Sequence, residues 1–160
     1  MTNAPTVTLL EPRTLVIDTT IPMTQLEAQI LATRKYGTFW ENGDESLARE
    51  VLSPDYRDRT LPPGRPLGID GPLGAFRAIR AAIPDMRCVI DQLLVLGDRV
   101  MVHLEFKGHF KGTFKGVQGR GQPVAFIAMD IYRFDDGLLV ESWHLEDNLT
   151  LYTQMGLICA

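Results

Sequence analysis

The chain has 160 residues, 45% of them apolar and 22% charged, and its 16 Lys and Arg stand against 20 Asp and Glu for a net charge of −4. That is enough length and apolar content to bury one hydrophobic core, which excludes a disordered chain. The cations are scattered, and phosphate binding needs a clustered basic surface, so nucleic acid is not the expected partner.

Residues 1–22 read as an N-terminal extension to a domain spanning 23–160. Pro5, Pro12 and Pro22 surround two short β-rich pieces, 6–10 and 14–17, which can add a strand to the domain or to a partner subunit. No basic stretch followed by an apolar run opens the chain, and no apolar run nears the ~20 residues that cross a bilayer. The expectation is a soluble, cytoplasmic protein with no membrane partner. Cys88 and Cys159 are too few for a disulfide framework and read as reduced thiols.

The pattern over 23–42 predicts a helix, with Thr24 and Glu27 in capping-box spacing, Leu26, Ile30, Leu31, Phe39 and Trp40 on its buried face, and Gly43 as its stop. A shorter helix is expected over 45–52. The proline-rich 56–66 reads as irregular, and a third helix covers 71–82, closed by Pro84. The period then changes to two. Strands are expected at 86–96, 99–110, 124–134 and 138–146, turning at Gly97-Asp98, at the glycine-rich 112–121 and at Asp136-Gly137. Residues 148–155 form a last helical turn stopped by Gly156. Helices followed by an antiparallel meander make an α+β domain, and helices laid on a curved sheet enclose an apolar pocket suited to a small hydrophobic molecule.

Several common chemistries find no support. Lys107, Lys111 and Lys115 are each followed by glycine, which reads as a hairpin rather than a basic helix. The segment 112–121 lacks the Gly-Lys-Ser/Thr of a phosphate loop, and no Gly-x-Ser-x-Gly elbow occurs. His103, His109 and His144 lack zinc-ligand spacing, so no metal and no cofactor is expected.

The stretch from Asp130 to Asp147 carries the most information. An acidic residue between Met129 and Ile131 in mid-strand needs a partner or a raised pKa, because burying a bare carboxylate is costly. With a three-residue turn, Asp130, Ser142 and His144 share a sheet face; with a two-residue turn, Glu141 and Trp143 take it instead. Periodicity leaves both open.

The run from Tyr36 to Gly156 resembles the SnoaL-like polyketide cyclases, of the cone-shaped nuclear transport factor 2-like (cystatin-like) superfamily that also holds ketosteroid isomerase and scytalone dehydratase. Phe39-Trp40-Glu41-Asn42-Gly43-Asp44, Asp55-Tyr56, 71–76, Ile83-Pro84-Asp85-Met86, Gly97-Asp98-Arg99-Val100, 130–137, Val140-Glu141-Ser142-Trp143, Asp147 and Gln154-Met155-Gly156 carry it through their order and spacing. The resemblance implies a curved antiparallel sheet with three N-terminal helices around a pocket, and a homodimer. Ring-closing relatives resemble this chain with a histidine near Asp130 and a catalytic aspartate at His144, which implies an exchanged Asp130–His144 pair. Ketosteroid isomerase has an aspartate near the Asp130 position and a tyrosine at that of Tyr36, but its general base aligns near Thr60, which argues against the isomerase reaction.

The expected function is therefore a cofactor-independent cyclase, isomerase or hydrolase working by acid–base chemistry on a small hydrophobic carbonyl, ester or epoxide compound. Asp130 and His144 are its expected catalytic pair; Tyr36, Trp40, Arg59, His103, Phe110, Phe126 and Ser142 are its candidate substrate contacts. Each also has a structural alternative: His144 and Asp130 as satisfied core polar groups, Tyr36 and Trp40 as core, His103 and Arg59 in solvent. Glu141 and Asp147 read as structural. The alternative for the whole chain is a non-catalytic ligand-binding or dimeric interaction module of the same fold.

Overall fold

In the first long helix, residues three and four apart share a face, so Leu26, Gln29, Thr33 and Tyr36 come to lie buried along one side. This helix, α1 (Met23–Asn42), follows an edge strand, β1 (Thr14–Ile17). The structure is a computed structural model and describes residues 7–158. Thr24 does not cap α1. The helix starts at Met23 behind Pro22, which supplies no side-chain hydrogen bond, and the expected capping box lies one residue inside it. Gly43 ends α1 with a φ of 80°, where an added Cβ would meet the Phe76 ring at 2.6 Å. Both the backbone and the packing require glycine there.

Asp44 caps α2 (Glu45–Val51) by accepting the amide hydrogen of Ser46. The chain then enters β2 (Leu52–Asp58), where irregular backbone was expected from residue 56 onward. Pro54 sits in it without breaking it, because β2 is an edge strand that pairs on one side only. A loop over 59–69 leads to α3 (Asp70–Ala82). The remaining strands are β3 (Arg87–Leu96), β4 (Arg99–Phe110), a small hairpin β5 (Thr113–Phe114) and β6 (Val117–Gln118), β7 (Gln122–Asp135) and β8 (Leu138–Glu146), before α4 (Asn148–Met155). Asp147 caps α4 through the amide of Thr150, as a structural reading of that residue anticipated.

The main sheet runs β1-β3-β4-β7-β8-β2. Its centre is the expected antiparallel meander, but both edges are parallel: β1 with β3, and β2 with β8. Of the first β-rich piece, residue 6 lies outside the described residues and 7–10 form no strand. They are held to α1 instead, where the Leu10 amide donates to Thr38 Oγ1. Cys159 also lies outside the described residues, while Cys88 is a buried free thiol. Phe39, Phe76, Ile83, Ile90 and Leu139 fill the core between helices and sheet. Fully burying side chains of this size contributes roughly 1.5–3 kcal/mol each.

Candidate active site

The turn between β7 and β8 holds two residues, Asp136 and Gly137, both with positive φ (48° and 76°) as a tight hairpin requires. A regular ladder from such a turn would aim Glu141 and Trp143 at the helices. It does not, because Phe134 pairs with Leu139 and Arg133 with Glu141, leaving Val140 as an extra residue. Beyond this bulge, Tyr132 stands opposite Ser142 and Asp130 opposite His144. All four side chains line a cavity of about 490 Å³ between the sheet, α1, α3 and the 59–69 loop. The two open alternatives thus resolve into a two-residue turn with the face expected of a three-residue one.

Asp130 and His144 are register neighbours, yet each is hydrogen-bonded to something else. Asp130 Oδ2 accepts from the Tyr132 hydroxyl at 2.7 Å, while its Oδ1 is buried with no protein partner among the described residues. Burial pushes the Asp130 carboxyl up to about 6, against the opposing pull of the Tyr132 hydroxyl and the His144 charge. His144 Nε2 lies 2.9 Å from Asp58 Oδ2, and Nδ1 lies 3.4 Å from Glu146 Oε1. Burial pulls the imidazole down, but hydrogen bonds and charge from Glu146 and Asp58 outweigh it and hold His144 at about 9. Near neutrality the cavity therefore holds an imidazolium beside an ionised, under-bonded carboxylate.

Asp58 is the residue the sequence reading passed over. Its Oδ1 accepts from the amide and hydroxyl of Thr60 at 2.9 and 3.0 Å, leaving Oδ2 for the imidazole. Thr60 Oγ1 accepts the His144 amide in turn. Thr60 is thus a bracket between β2 and β8. Tyr56, two residues before Asp58 on the same strand face, shares a 2.5 Å hydrogen bond with Ser142 Oγ. Burial pushes the hydroxyls of Tyr36, Tyr56 and Tyr132 up, so all three stay protonated. The signal for Tyr56 and Asp58 was their two-residue spacing after Leu52, masked by the prolines around them.

Of the candidate contacts, Tyr36, Trp40, Phe126 and Ser142 line the cavity, and the Tyr36 ring meets Tyr132 edge-on at 5.7 Å. Three do not. Arg59 turns away from it to pair with Glu141, which also holds Arg133. His103 points from the opposite sheet face toward Asp91, 3.2 Å away, because it pairs with Met129 rather than Asp130. Phe110 is wholly buried in the core at the far end of β4 and does not reach the cavity. Besides Asp58 and Tyr56, the cavity gains Tyr132, Glu146 and Arg65. Among the described residues no group of three or more His, Cys, Asp or Glu side chains is placed to hold a metal ion, and no helix is long and apolar enough to cross a membrane.

The family model for SnoaL-like polyketide cyclase matches residues 30–155. The fold superposes on a proposed polyketide cyclase of Bacillus cereus ATCC 10987 with a TM-score of 0.86 and 34% sequence identity, covering 94% of this chain and 95% of that one. IdmH of Streptomyces antibioticus, also a proposed polyketide cyclase, is 28% identical with a TM-score of 0.70, over 78% of this chain and 96% of its own. TsrD of Streptomyces laurentii is 25% identical with a TM-score of 0.74, over 86% and 99%. No curated protein sequence matches the chain.

Proposed function

The chain belongs to the SnoaL-like polyketide cyclase family, and on that footing we propose that it is a cofactor-independent enzyme performing acid–base chemistry on a small hydrophobic carbonyl compound, with ring closure as its reaction. One observation carries the reading: Asp130 lines the cavity beside the charged imidazole of His144, and its Oδ1 is buried with no protein partner among the described residues. An unsatisfied buried carboxylate oxygen costs stability, so its presence in a cavity suits a group that meets its partner only when a ligand enters.

In this mechanism Asp130 takes a proton from the carbon next to a substrate carbonyl. The resulting enolate carbon attacks a second carbonyl of the same molecule, forming the new C–C bond. The oxygen of that second carbonyl receives the proton of His144, and no atom is lost overall. Asp58 and Glu146 hold the imidazolium in place, and the protonated Tyr36 and Tyr132 hydroxyls add donors at the cavity wall. The apolar wall of Trp40, Phe106 and Phe126 suits an aromatic or polyene body. Incubating the protein in D₂O with 1,3-diketones bearing a second carbonyl tests the first step directly. Deuterium enters at the acidic carbon faster than in buffer, and Asp130→Asn removes that excess, a loss of roughly 10²–10⁴-fold. Exchange surviving intact in Asp130→Asn would remove Asp130 from the mechanism.

The expected homodimer is supported by the outer sheet face, where Met101, Ile127, Met129, Ile131 and Leu145 lie exposed together on adjacent strands. We infer that a second copy covers them.

A further inference from the structure

His144 Nε2 has two neighbours that make incompatible demands on it. Asp58 Oδ2, at 2.9 Å, can only accept, so it needs a hydrogen on Nε2. Arg65 Nη1, at 3.2 Å, can only donate, so it needs a lone pair there. One nitrogen cannot satisfy both in a single protonation state. In the imidazolium, Nε2–H donates to Asp58 and Arg65 meets a like charge. In the neutral ring with its hydrogen on Nδ1, toward Glu146, the Nε2 lone pair accepts from Arg65. The same guanidinium nitrogen is 3.8 Å from Asp58 Oδ2, so it can bridge the two acceptors that would otherwise face each other.

Arg65 sits in a loop with few other ties. Residues 61–68 hold Pro62, Pro63 and Pro66, with Gly64 and Gly68 at φ values of 82° and 64°. Their backbone hydrogen bonds are local, such as the Arg65 amide to the Pro62 carbonyl, and among the described residues only the Arg65 side chain hydrogen-bonds to the sheet. Leu67 is 81% exposed, while Pro62, Pro63, Gly64 and Pro66 roof the cavity. The roof thus hangs on the contact whose sense depends on the His144 proton.

We propose that Arg65 is a positioning residue that takes the place of the His144 proton: it clasps His144 and Asp58 when the imidazole is neutral and releases them when it is protonated, carrying residues 61–68 with it. Among the described residues, the other charged groups facing His144 are Asp58 on β2, Glu146 on β8 and Asp130 on β7, all anionic, with Lys115 of the small hairpin at the cavity rim. Arg65 is therefore the cation that opposes protonation at close range, and it stabilises the ring once its proton is gone. The coupling needs no substrate, so its failure would leave the role of Asp130 untouched.

The test is an NMR titration of the full chain labelled with ¹⁵N-histidine, the His144 ring signals being assigned by their loss in His144→Gln. In Arg65→Gln the His144 midpoint rises by about one pH unit, tenfold in proton affinity, because a nearby cation has gone. Arg65→Lys brings it back toward the wild-type value. Amide exchange of residues 61–68, corrected for intrinsic rates, is severalfold more protected above the wild-type midpoint than below it, and Arg65→Gln abolishes that difference. Unchanged sheet-amide signals in both variants report an intact fold. An unmoved midpoint in Arg65→Gln, or loop protection with the same pH dependence as wild type, overturns the proposal.

Discussion

Two histidines on the same sheet each have an aspartate partner, and they sit in opposite settings. His144 faces the cavity, with Asp58 and Glu146 on its two nitrogens and the under-bonded Asp130 beside it. His103 stands on the outer face, 3.2 Å from Asp91, with Arg13 also drawn to that aspartate. A His–Asp contact alone therefore identifies nothing. What distinguishes His144 is the cavity it lines and a second ionisable group, Asp130, opposite it on the neighbouring strand.

The contrast can be tested in order of expected effect. The largest is on turnover against pH: the mechanism needs Asp130 ionised and His144 charged, so activity follows a bell with limbs near 6 and 9. It falls about tenfold for each pH unit beyond either limb, and His103→Gln leaves both limbs in place. Initial rates from pH 4 to 11 decide this, and a profile that is flat below pH 6 would exclude Asp130 as the base. Next is stability. A carboxyl raised from 3.8 to about 6 by folding favours the fold fully below pH 4, and that contribution is lost as pH rises through 6. Asp130→Asn should thus stabilise the protein by up to about 3 kcal/mol at pH 8, with little gain at pH 4, as read by urea unfolding at the two pH values. Third, Met129→Glu on the outer face gives a monomer in sedimentation at concentrations where the wild type sediments as a dimer, with the cavity side unaltered. The smallest effect belongs to His103→Gln, whose turnover stays within about twofold of wild type, since the residue touches nothing in the cavity.

Much of the fold was legible in the residues because local signals agreed with it. α1 carried a buried face and a glycine stop, and β3, β4, β7 and β8 alternated cleanly between glycine-bearing turns. The edge strand β2 was hidden because Pro54 and the prolines after Thr60 gave the signature of loop, and only its pairing with β8 makes it a strand. Asp58 was lost with it. The Asp130–His144 neighbourhood was legible as a pairing, but the hydrogen bonds were not. Tyr132 reaches Asp130 from two residues along the same strand, and Asp58 reaches His144 only because the parallel edge sets β2 beside β8. His103 and Phe110 failed as cavity contacts for simpler reasons. One lies on the wrong face of β4, and the other lies too far along it.

Val140 has a consequence for reading related sequences. Between Asp130 and Phe134 the inner strand takes four steps, while between Leu139 and His144 its neighbour takes five. Parity is broken once, between the turn and the site. A homologue lacking that one residue would keep its imidazole over the cavity on a straighter strand, whereas a loss farther along would send the imidazole outward and bring an outer apolar side chain in. Alignments that count residues from the Asp-Gly turn will therefore pair inward side chains with outward ones unless they treat this position as a gap.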